Sequence, residues 1–359
     1  MPGRRSSSAT TVTSGAAAPA ARVTIAEIAR EAGVSAPTVS KVLNGHDQVA
    51  PETRARVEEL LRRHNYLRRR ARPKKTVGLI DLVIREVDSL WAGEVLQGVQ
   101  GAAADHGTEV VMTATHGTAA QTLRWLDNVS KRGSDGIILA VTDLTPAQHK
   151  QVNSMDIPLA VVDPVGSPDA GVPMVGATNW QGGMAATQHL LDLGHRRIGI
   201  LQGLEEALCA RARLDGYRAA LEGAGIAVDP ALQQPGDFYY TTGYSGMRNL
   251  LALPKPPTAV FASSDLMALG AYEAIRQAGL RVATDVSIVG FDDVPNAAWA
   301  SPPLTTVHQP LREMAALAAR IVLQGAEAVL PGPTLRMELA TQLVVRESTG
   351  AAPGGRSAT

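Results

Sequence analysis

The sequence predicts an α/β protein in which a small all-helical domain precedes a larger core of parallel β-sheets. Three observations predict this class: three short amphipathic helices near the N-terminus, alternating strand-like and helix-like runs from residue 76 onward, and a division of charge between the two parts. Residues 1–75 hold 15 Lys and Arg against 6 Asp and Glu, a net charge of +9, whereas residues 76–359 have a net charge of −9. This asymmetry favours a basic segment that binds a polyanion, the alternative being a basic, solvated tail.

Length and composition narrow the class of protein. A chain of 359 residues corresponds to two or three domains. Cys209 is the single cysteine, so an internal disulfide or a cysteine-based zinc site is not expected. The sequence contains no apolar run of about 18 residues that could cross a membrane. Residues 1–21, which we expect to be a disordered tail, lack the apolar segment of a secretory signal, so we expect a protein of the reducing cytoplasm.

The N-terminal helices follow from their caps. Thr24, with a glutamate three residues later, forms a capping box that starts a first helix, and Gly33 ends it. Ser35 caps a second helix, and Pro51 opens a third, because a first-turn residue needs no backbone N–H. Two short helices joined by a tight glycine-containing turn and braced by a third predict a helix-turn-helix domain over residues 22–66.

The outer side of the second helix is the candidate surface for contacting DNA. Small residues let the first two helices cross closely, which leaves the outer face and N-terminal end of the second free to enter a major groove. The helical pattern alone fits a generic three-helix bundle equally well, and the positive charge of the region favours DNA. The residues of this face are Ser35, Ala36, Pro37, Ser40 and Lys41.

A run of basic residues follows the third helix. Residues 62–75 contain eight Lys and Arg in fourteen positions. We expect residues 67–75 to form a basic linker that lies along a bound duplex and neutralises phosphates, with Arg68, Arg69 and Arg70 in contact with DNA. Each neutralised phosphate makes binding weaken more steeply with salt.

From residue 76 the chain alternates strands and helices. Continuous apolar strands separated by helices predict parallel sheets that are covered on both faces. About 280 residues of this pattern exceed one open sheet, so we predict two βα subdomains with a ligand cleft at the carboxyl ends of their strands. The strand-like runs are residues 77–84, 108–114, 136–141, 159–163, 197–202, 258–263, 286–291 and 341–347.

The sequence carries no signature of a catalytic or cofactor site. It contains no dinucleotide-binding or phosphate-binding glycine motif, no HExxH zinc motif and no GxSxG nucleophile elbow. The eight histidines do not fall at metal-ligand spacings, and we assign His189 and His195 to capping or core roles. We therefore expect no catalytic residue, no metal and no cofactor.

Polar and aromatic residues nevertheless recur at the predicted strand ends and in neighbouring loops. Carboxylates accept hydrogen bonds from hydroxyls, guanidinium groups donate through a planar fork, and aromatic faces cover sugar C–H groups. Together such residues predict a carbohydrate pocket, although each one taken singly fits a cap, a surface charge or a core position. The set comprises Asp163, Ser264, Asp265, Asp292, Asp293, Arg211, Arg213, Trp91, Phe238 and Trp299.

With these residues in view, the chain resembles the lactose-repressor (LacI) family of bacterial transcription regulators. The resemblance covers roughly residues 23–66 and 76–347. It is carried, in the family's order, by TIAEIAREAGVSAPTVSKVLNG, VAPETRARV, GSDGIIL, HLLDLGHRRIGILQG, FASSDLMALGAYEAI, DVSIVGFDDVP and PPLTTVHQP. The resemblance implies a homodimer that binds a pseudopalindromic DNA operator.

The resemblance also implies how the core is divided. Its fold is a periplasmic-binding-protein-like core in which the chain passes between two subdomains three times. Subdomain 1 would contain residues 76–177 and 306–336, and subdomain 2 residues 178–305 and 337–347. We expect residues 348–359 to form a disordered tail.

The family's functional positions match individual residues of this sequence. The base-contacting positions of the second helix match Ala36, Pro37 and Lys41. The positions that contact phosphate or hold the motif match Ser35, Thr38, Ser40 and Asn44, and we also expect Thr24 to contact DNA. The family's effector contacts match Ser89, Trp91, Asp163, Arg213, Phe238, Ser264 and Asp292.

Two features depart from the family's pattern. Only ten residues separate Tyr66 from Val77, and LRRRARPKKT replaces the Ala-Arg-x-Leu pattern of the family's hinge helix. Either Leu67 or another side chain enters the minor groove, or the linker acts electrostatically. Ser264 stands where many sugar-responsive members have Asn, which leaves the identity of the ligand open.

The leading hypothesis from the sequence is a cytoplasmic, nucleoid-associated repressor whose operator affinity falls when a mono- or oligosaccharide binds in the cleft. A second hypothesis is a regulator that responds to a purine or phosphorylated corepressor, although a phosphate calls for more cationic loops than the sequence supplies. A free-standing solute-binding protein is disfavoured by the basic headpiece. An enzyme is disfavoured because no nucleophile–base pair can be named.

Overall fold

The computed structural model of the protein describes residues 24–43, 49–64, 76–141, 144–165, 171–329 and 335–353. The chain forms two compact units, divided between residues 75 and 76. The described part of the N-terminal unit is helical, and the C-terminal unit contains two six-stranded β-sheets.

The N-terminal unit contains helices α1 (Ile25–Ala32), α2 (Ala36–Leu43) and α3 (Pro51–Arg63). The predicted capping box is confirmed, because Thr24 Oγ1 accepts the N–H of Glu27 and the Glu27 carboxylate accepts the N–H of Thr24. Gly33 ends α1 with a φ of 65°. Ser35 caps α2 by accepting the N–H of Thr38 at 3.3 Å, as predicted.

A small apolar core holds these three helices together. Ile28 from α1, Val39 from α2 and Val57 from α3 are fully buried and belong to one cluster. A polar contact adds to it, because His64 Nε2 lies 2.6 Å from Glu31 Oε2 and ties the end of α3 to α1. The small buried core is that of a compact helical domain, as the spacing of the apolar residues predicts.

The C-terminal unit is built on two sheets. Its strands are β1 (Leu79–Ile84), β2 (Glu109–Ala114), β3 (Gly136–Ala140), β4 (Leu159–Val162), β5 (Met174–Ala177), β6 (Ile198–Leu201), β7 (Gln233–Gln234), β8 (Ala259–Ala262), β9 (Ser287–Asp292), β10 (Thr305–His308), β11 (Arg336–Leu339) and β12 (Gln342–Val344). The first sheet has the order β11-β5-β4-β3-β1-β2 and the second β12-β10-β9-β8-β6-β7. Every pairing is parallel except that of β10 with β12. We refer to the parts built on these sheets as subdomain 1 and subdomain 2.

Helices cover both sheets, as parallel strands require. They are α4 (Leu90–Ala104), α5 (Ala119–Arg132), α6 (Pro146–Ser154), α7 (Asn179–Asp192), α8 (Leu208–Gly223), α9 (Tyr240–Leu251), α10 (Asp265–Gln277), α11 (Pro295–Trp299), α12 (Leu311–Gln324) and α13 (Ala326–Val329), with a 3₁₀ turn at Pro230–Leu232. Each sheet separates two apolar clusters, one on each face. The predicted doubly covered α/β architecture is therefore confirmed.

Two of the three crossings between the sheets occur later in the chain than expected. Strand β10 pairs with β9 and β12 in the second sheet, so the chain leaves that sheet after His308 instead of after residue 305. Strand β11 pairs with β5 in the first sheet, so the last crossing follows Leu339 instead of residue 336. In both cases the strand completes its backbone hydrogen bonds within one sheet before the chain turns to the other.

Four short strands escaped the sequence analysis: β5, β7, β10 and β11. Strand β7 consists of two glutamines, and β11 alternates Arg and Glu with Met and Leu. Strands β7, β10 and β11 have polar residues at half or more of their positions, and β5 is only four residues long and contains a glycine, so none shows the apolar run that marks a central strand.

The first part of the expected C-terminal tail is ordered. Ser348 is fully buried, its Oγ donating to the carbonyl of Ile288 and accepting the N–H of Thr305. The N–H of Ala352 donates to the carbonyl of Leu193. The expectation of a disordered tail from residue 348 is thus wrong for residues 348–353, because Ser348, Gly350 and Ala352 make hydrogen bonds with subdomain 2 that composition does not reveal.

The two histidines assigned to capping or core roles do lie in such positions. His195 is buried, with Nδ1 2.8 Å from Thr258 Oγ1 and Nε2 3.1 Å from the carbonyl oxygen of Gly350. His189 Nε2 lies 2.9 Å from Thr349 Oγ1. Burial lowers the pKa of both imidazoles, which keeps them neutral at pH 7.

Candidate functional site

A cleft between the two subdomains brings the predicted effector residues together. Counted to its open mouth, it has a volume of about 810 Å³, within the usual range of small-molecule sites. Residues from both sheets line it, so a bound molecule would touch both subdomains. All seven predicted effector contacts are among the lining residues: Ser89, Trp91, Asp163, Arg213, Phe238, Ser264 and Asp292.

Three of these residues stand at the carboxyl ends of parallel strands. Asp163 follows β4, Ser264 lies two residues after β8, and Asp292 ends β9. Carboxyl ends of parallel strands meet at one edge of a sheet, which explains why residues far apart in the chain converge here. Asp163 and Asp292 have positive φ angles of 45° and 115°, a strained backbone conformation that concentrates at functional sites.

A close helix crossing positions Arg213, which lies on α8. A Cβ at Gly183 of α7 would stand 2.3 Å from the Arg213 carbonyl oxygen, and one at Gly216 of α8 would stand 2.2 Å from the carbonyl oxygen of Trp180. Only glycine allows α7 and α8 to approach so closely. The crossing places Arg213 beside the start of α7, where its Nε donates to Asn179 Oδ1 at 2.8 Å.

The Arg213 guanidinium is fixed by the protein itself. Its side chain is only 3% exposed. Nη1 donates to the carbonyl of Ser263 at 2.6 Å, and Nη2 donates to Gln309 Oε1 at 2.8 Å. The ring of Phe291 lies against it, with the centroid 3.6 Å from Cζ. Asp292 Oδ1 is 3.6 Å from Nη1, an ion pair without a close hydrogen bond.

Gln309 connects the two subdomains, and the sequence analysis missed it. It follows β10, where the chain leaves subdomain 2, and it is 2% exposed. Its Nε2 donates to Asp163 Oδ2 of subdomain 1 at 2.7 Å, while its Oε1 accepts from Arg213 of subdomain 2. Gln309 belongs to the PPLTTVHQP motif, but nothing local marks its role, because only the crossing of the chain brings it against Asp163 and Arg213.

Three buried carboxyl groups belong to this region: Asp163 and Asp292, which interact with the Arg213 guanidinium, and Asp265, which neighbours Asp292. Burial raises the pKa of Asp163 and that of Asp292, the latter to about 7, and Arg213 opposes both shifts. Burial and the neighbouring Asp292 raise the pKa of Asp265 well above its ordinary value. Burial thus outweighs the attraction of Arg213 and favours the protonated forms of these carboxyl groups.

Two of the predicted effector contacts are helix caps. Ser89 Oγ accepts the N–H of Ala92 at 3.3 Å at the start of α4. Ser264 Oγ accepts the N–H of Met267 at 3.1 Å at the start of α10 and donates to the Phe238 carbonyl at 2.8 Å. A serine hydroxyl has one proton, so that of Ser264 is already committed within the protein.

Several residues that we placed in loops lie in helices. Trp91 is in the first turn of α4, and Arg211 and Arg213 are inside α8. Trp299 ends α11, is 74% exposed and lies outside the described lining of the cleft. Helix α8 starts after Ala207, which offers no side-chain cap, so no sequence signal marked its beginning. Phe238 does lie in a loop, before α9.

The cleft also contains charged and aromatic residues that the sequence analysis missed. Arg85 and Glu86 follow β1, and Asp237 and Tyr239 lie in the loop before α9. Asp237 Oδ1 accepts the N–H of Tyr239 at 3.0 Å and the hydroxyl of Thr242, which holds the first turn of α9. Burial raises the pKa of Tyr239 to about 12. The position directly after a predicted strand was the available signal for Arg85 and Glu86.

In the N-terminal unit, the predicted DNA contacts lie on α2, at its N-terminal end, or at the cap of α1. Thr24 is exposed, and its hydroxyl donates to the Glu27 carboxylate at 3.0 Å, so it holds the start of α1. The hydroxyls of Ser35 and Thr38 lie 2.8 Å apart. Of the α2 set, Ser35, Ala36, Pro37 and Lys41 are exposed and Thr38 and Ser40 are partly buried.

The remaining predicted DNA contacts lie outside the described residues. They are Asn44 and the linker arginines Arg68, Arg69 and Arg70, together with Leu67 and the rest of residues 67–75. Our predictions for these positions stay predictions.

Among the residues that the structure describes, no group of three or more His, Cys, Asp or Glu side chains is arranged to hold a metal ion. Within these same residues, no helix combines the length and the apolar character that crossing a bilayer requires. Cys209 borders the cleft but is buried, and burial raises the pKa of its thiol to about 12.

Comparison with known protein families matches both parts of the chain. The family described as "Bacterial regulatory proteins, lacI family" matches residues 24–69, and a periplasmic binding protein-like domain matches residues 187–349. The ribose operon repressor of Escherichia coli (strain K12) is 33% identical over 334 residues, which are 90% of this chain and 99% of that protein.

Two solved structures are similar over most of the chain. A complex of the transcriptional regulator CelR with cellobiose has a TM-score of 0.70 and 34% identity, and the match covers 91% of this chain and 100% of that one. The lac repressor dimer bound to operator and the anti-inducer ONPF has a TM-score of 0.66 and 27% identity over 92% of this chain and 99% of that one. The protein with this helix-turn-helix unit and this cleft therefore belongs to the LacI family of bacterial regulatory proteins.

Proposed function

We propose that this DNA-binding transcriptional regulator is a repressor whose affinity for its operator falls when a neutral sugar binds in the cleft. The observation that carries the proposal is the convergence of seven predicted contact residues between two subdomains. The relatives support it, since one is a ribose operon repressor and another was solved with cellobiose.

The side chains of the cleft suit a polyol. Asp163 and Asp292 supply carboxylate oxygens that accept hydrogen bonds from pairs of neighbouring hydroxyls. Trp91 and Phe238 supply aromatic faces that cover the C–H groups of a sugar ring. Arg213, held at the back by four protein groups, presents its remaining N–H donors from a fixed position.

The charges of the lining favour a neutral ligand over a phosphorylated one. Four carboxyl groups line the cleft and two guanidinium groups oppose them: Glu86, Asp163, Asp237 and Asp292 against Arg85 and Arg213. Even with the raised pKa values of Asp163 and Asp292, an anion entering this cleft would meet at least as much like charge as opposite charge. This balance ranks a phosphorylated corepressor below a neutral sugar.

For the DNA side, we assign base contacts to Ala36, Pro37 and Lys41, and phosphate contacts to Ser35, Thr38, Ser40, Asn44, Arg68, Arg69 and Arg70. A homodimer, the state in which the lac repressor neighbour was solved, would place two α2 helices in successive major grooves about 34–36 Å apart. Such a target places the protein at the nucleoid in the cytoplasm. We assign no catalytic residue and no cofactor.

The proposed coupling runs through the contact between subdomains. Gln309 joins Asp163 to Arg213 across the two subdomains. Sugar hydroxyls that bond to Asp163 compete with this amide and favour another angle between the subdomains, which displaces the DNA-binding units of the dimer. A coupling of about 1–3 kcal/mol per site would lower operator affinity by roughly 5-fold to 150-fold.

The test is fluorescence anisotropy with labelled duplexes from the protein's own upstream region, titrated with cellobiose, ribose and further mono- and oligosaccharides. We expect one neutral sugar to release the DNA. The corepressor alternative is tested in the same assay with guanine, hypoxanthine and sugar phosphates. Tighter DNA binding in the presence of any of these compounds would favour a corepressor. Unchanged operator affinity with every neutral sugar would contradict the proposal.

A variant of the DNA-contacting face checks the other half of the proposal. Lys41→Ala should reduce the preference for operator over unrelated duplex by about 10-fold, because a base contact contributes roughly 1–3 kcal/mol of discrimination. Lys131→Ala removes the same charge from an exposed position on α5 and is the matched control. Equal loss on operator and unrelated DNA would place Lys41 on phosphate instead.

A further inference from the structure

Phe238 has a backbone conformation that its residue type rarely adopts. Its φ is 75°, in the left-handed region that favours glycine. A non-glycine residue stays there only where its surroundings hold it, and residues of this kind cluster at ligand sites. Phe238 lines the cleft, and Arg213 Cζ lies 5.6 Å from its ring centroid.

The backbone of Phe238 is held from α10. Ser264 Oγ donates to the Phe238 carbonyl oxygen at 2.8 Å while accepting the N–H of Met267 at 3.1 Å. Ser264 is only 3% exposed, so solvent competes little for these bonds. One hydroxyl thus caps α10 and fixes the peptide that follows Phe238.

The ring of Phe238 is held by the backbone of another loop. A Cβ at Gly203 would lie 2.1 Å from Cε1 and 2.3 Å from Cζ of the ring. These distances mean that the ring packs directly on the backbone of residue 203, two residues beyond the end of β6. Any side chain at this position would push the ring away.

The rest of the loop is equally constrained. A Cβ at Gly236 would lie 2.2 Å from the carbonyl oxygen of Gln202, so this glycine packs on the same neighbouring segment. Asp237 Oδ1 accepts the N–H of Tyr239 at 3.0 Å. Phe238 is therefore held by contacts from three separate segments of subdomain 2: Ser264 at the start of α10, Gly203 after β6, and Arg213 of α8.

We infer that Ser264 and Gly203 are positioning residues that fix the Phe238 ring as a platform for the C–H face of a cyclic sugar. The inference rests on the proposed function of the cleft and deepens it. It also explains how Ser264 serves the site although its hydroxyl proton is committed to the protein. Its role is to hold Phe238 in place.

A fixed platform selects a class of ligand. A ring that is already immobile loses little conformational entropy when a sugar packs on it, so its full contact energy remains available. A pyranose or furanose presents a flat C–H face to such a ring, whereas an open-chain polyol of the same hydroxyl content does not. The platform therefore favours cyclic sugars over alditols such as sorbitol.

The first experiment needs no ligand. The chain contains three phenylalanines, and the other two, Phe261 and Phe291, are fully buried, so a ¹³C-labelled phenylalanine sample gives a simple aromatic spectrum in which Phe238→Leu assigns the third. Ser264→Ala and, independently, Gly203→Ala should shift the Phe238 signals alone. Ser264→Thr, which keeps the hydroxyl, should restore them.

A matched control separates the loss of a cap from the loss of the Phe238 bond. Ser89→Ala removes the corresponding cap hydroxyl from α4, in the same cleft, and should leave the Phe238 signals in place. Unchanged Phe238 signals in both Ser264→Ala and Gly203→Ala would overturn the inference. The same result in Ser89→Ala as in Ser264→Ala would overturn it as well.

The second experiment is a double-mutant cycle read by calorimetric binding of cellobiose. Ser264→Ala should weaken binding about 3-fold to 10-fold in the wild-type background, which is the size of one aromatic contact. In Phe238→Leu it should weaken binding less than 2-fold, because that background has no aromatic ring for Ser264 to position. Equal loss in both backgrounds would contradict positioning through Phe238. If the wild-type protein binds neither cellobiose nor any other sugar, the proposed function fails, while the spectrum still decides the positioning.

Discussion

Each subdomain of the core contains one buried aspartate paired with an arginine, and the two pairs are built differently. In subdomain 1, Asp81 of β1 is fully buried and accepts hydrogen bonds from Arg132 Nη2, Ser134 Oγ and Trp125 Nε1. Its two oxygens are satisfied by three donors that all belong to the protein. We call Asp81–Arg132 the structural pair, because groups of the protein alone satisfy the carboxylate.

In subdomain 2, Asp292 is held less completely. Among the described residues, its side-chain oxygens have Arg213 Nη1 at 3.6 Å and the backbone N–H of Asp265 as their polar neighbours. The Arg213 guanidinium donates its hydrogen bonds to Asn179, Ser263 and Gln309 instead. This unused acceptor capacity is what the sugar proposed above would use.

The largest expected effect is on stability, in a variant that breaks the Asp81–Arg132 pair. Asp81→Ala should lower the free energy of unfolding by about 3–5 kcal/mol, since it leaves Arg132, Ser134 and Trp125 without their shared acceptor. Urea denaturation measures it. Asp127→Ala, in an exposed ion pair with Lys131, should cost less than about 1 kcal/mol. Sugar affinity should remain within 2-fold in both variants. If Asp81→Ala lowered the free energy of unfolding by less than about 1 kcal/mol, the distinction between the two pairs would be wrong.

A second variant breaks the pair in the cleft. Asp292→Asn should weaken sugar binding about 10-fold to 100-fold while operator affinity without sugar stays within 2-fold, because a charge-assisted hydrogen bond to the ligand is lost. Stability at pH 8 should rise, because the variant removes a buried charge whose ionisation the folded protein opposes. Calorimetry and anisotropy measure the two affinities. Loss of operator binding alone would mean that the cleft is misassigned.

The last expected effect is a pH dependence of stability. Burial raises the pKa of Asp292 from 3.8 to about 7, so between these pH values the folded protein binds more protons than the unfolded chain. The free energy of unfolding contributed by this group therefore falls as the pH rises from about 4 to 7. Urea titrations across this range should show a shallower fall for Asp292→Asn. Parallel curves for the two proteins would refute the assignment.

Much of this architecture follows from local sequence signals. The capping box at Thr24, the αL turn at Gly33 and the cap at Ser35 are properties of a few adjacent residues, so the helical unit could be predicted. Asp163 and Asp292 could be predicted as cleft residues because the carboxyl ends of parallel strands converge whatever the details of packing. Neither inference requires knowledge of distant contacts.

The rest depends on which distant segments meet. Gln309 contributes to the cleft only because β10 stays in the second sheet until His308, a fact that no local pattern encodes. The role of Ser264 depends on the Phe238 carbonyl, 26 positions away. The order of residues 348–353 depends on acceptors and donors near Ser287 and Leu193. Long-range hydrogen bonds of this kind are visible only in the folded chain.

The buried thiol of Cys209 has a practical consequence for following the motion of the subdomains. Because it is the single cysteine, is shielded, and has a pKa of about 12, it stays protonated and unreactive toward maleimides at neutral pH. Cysteines introduced at exposed Lys150 of α6 and Glu222 of α8 can therefore carry a fluorophore pair without prior removal of the native residue. Energy transfer between the dyes would then test whether the two subdomains open and close in individual molecules.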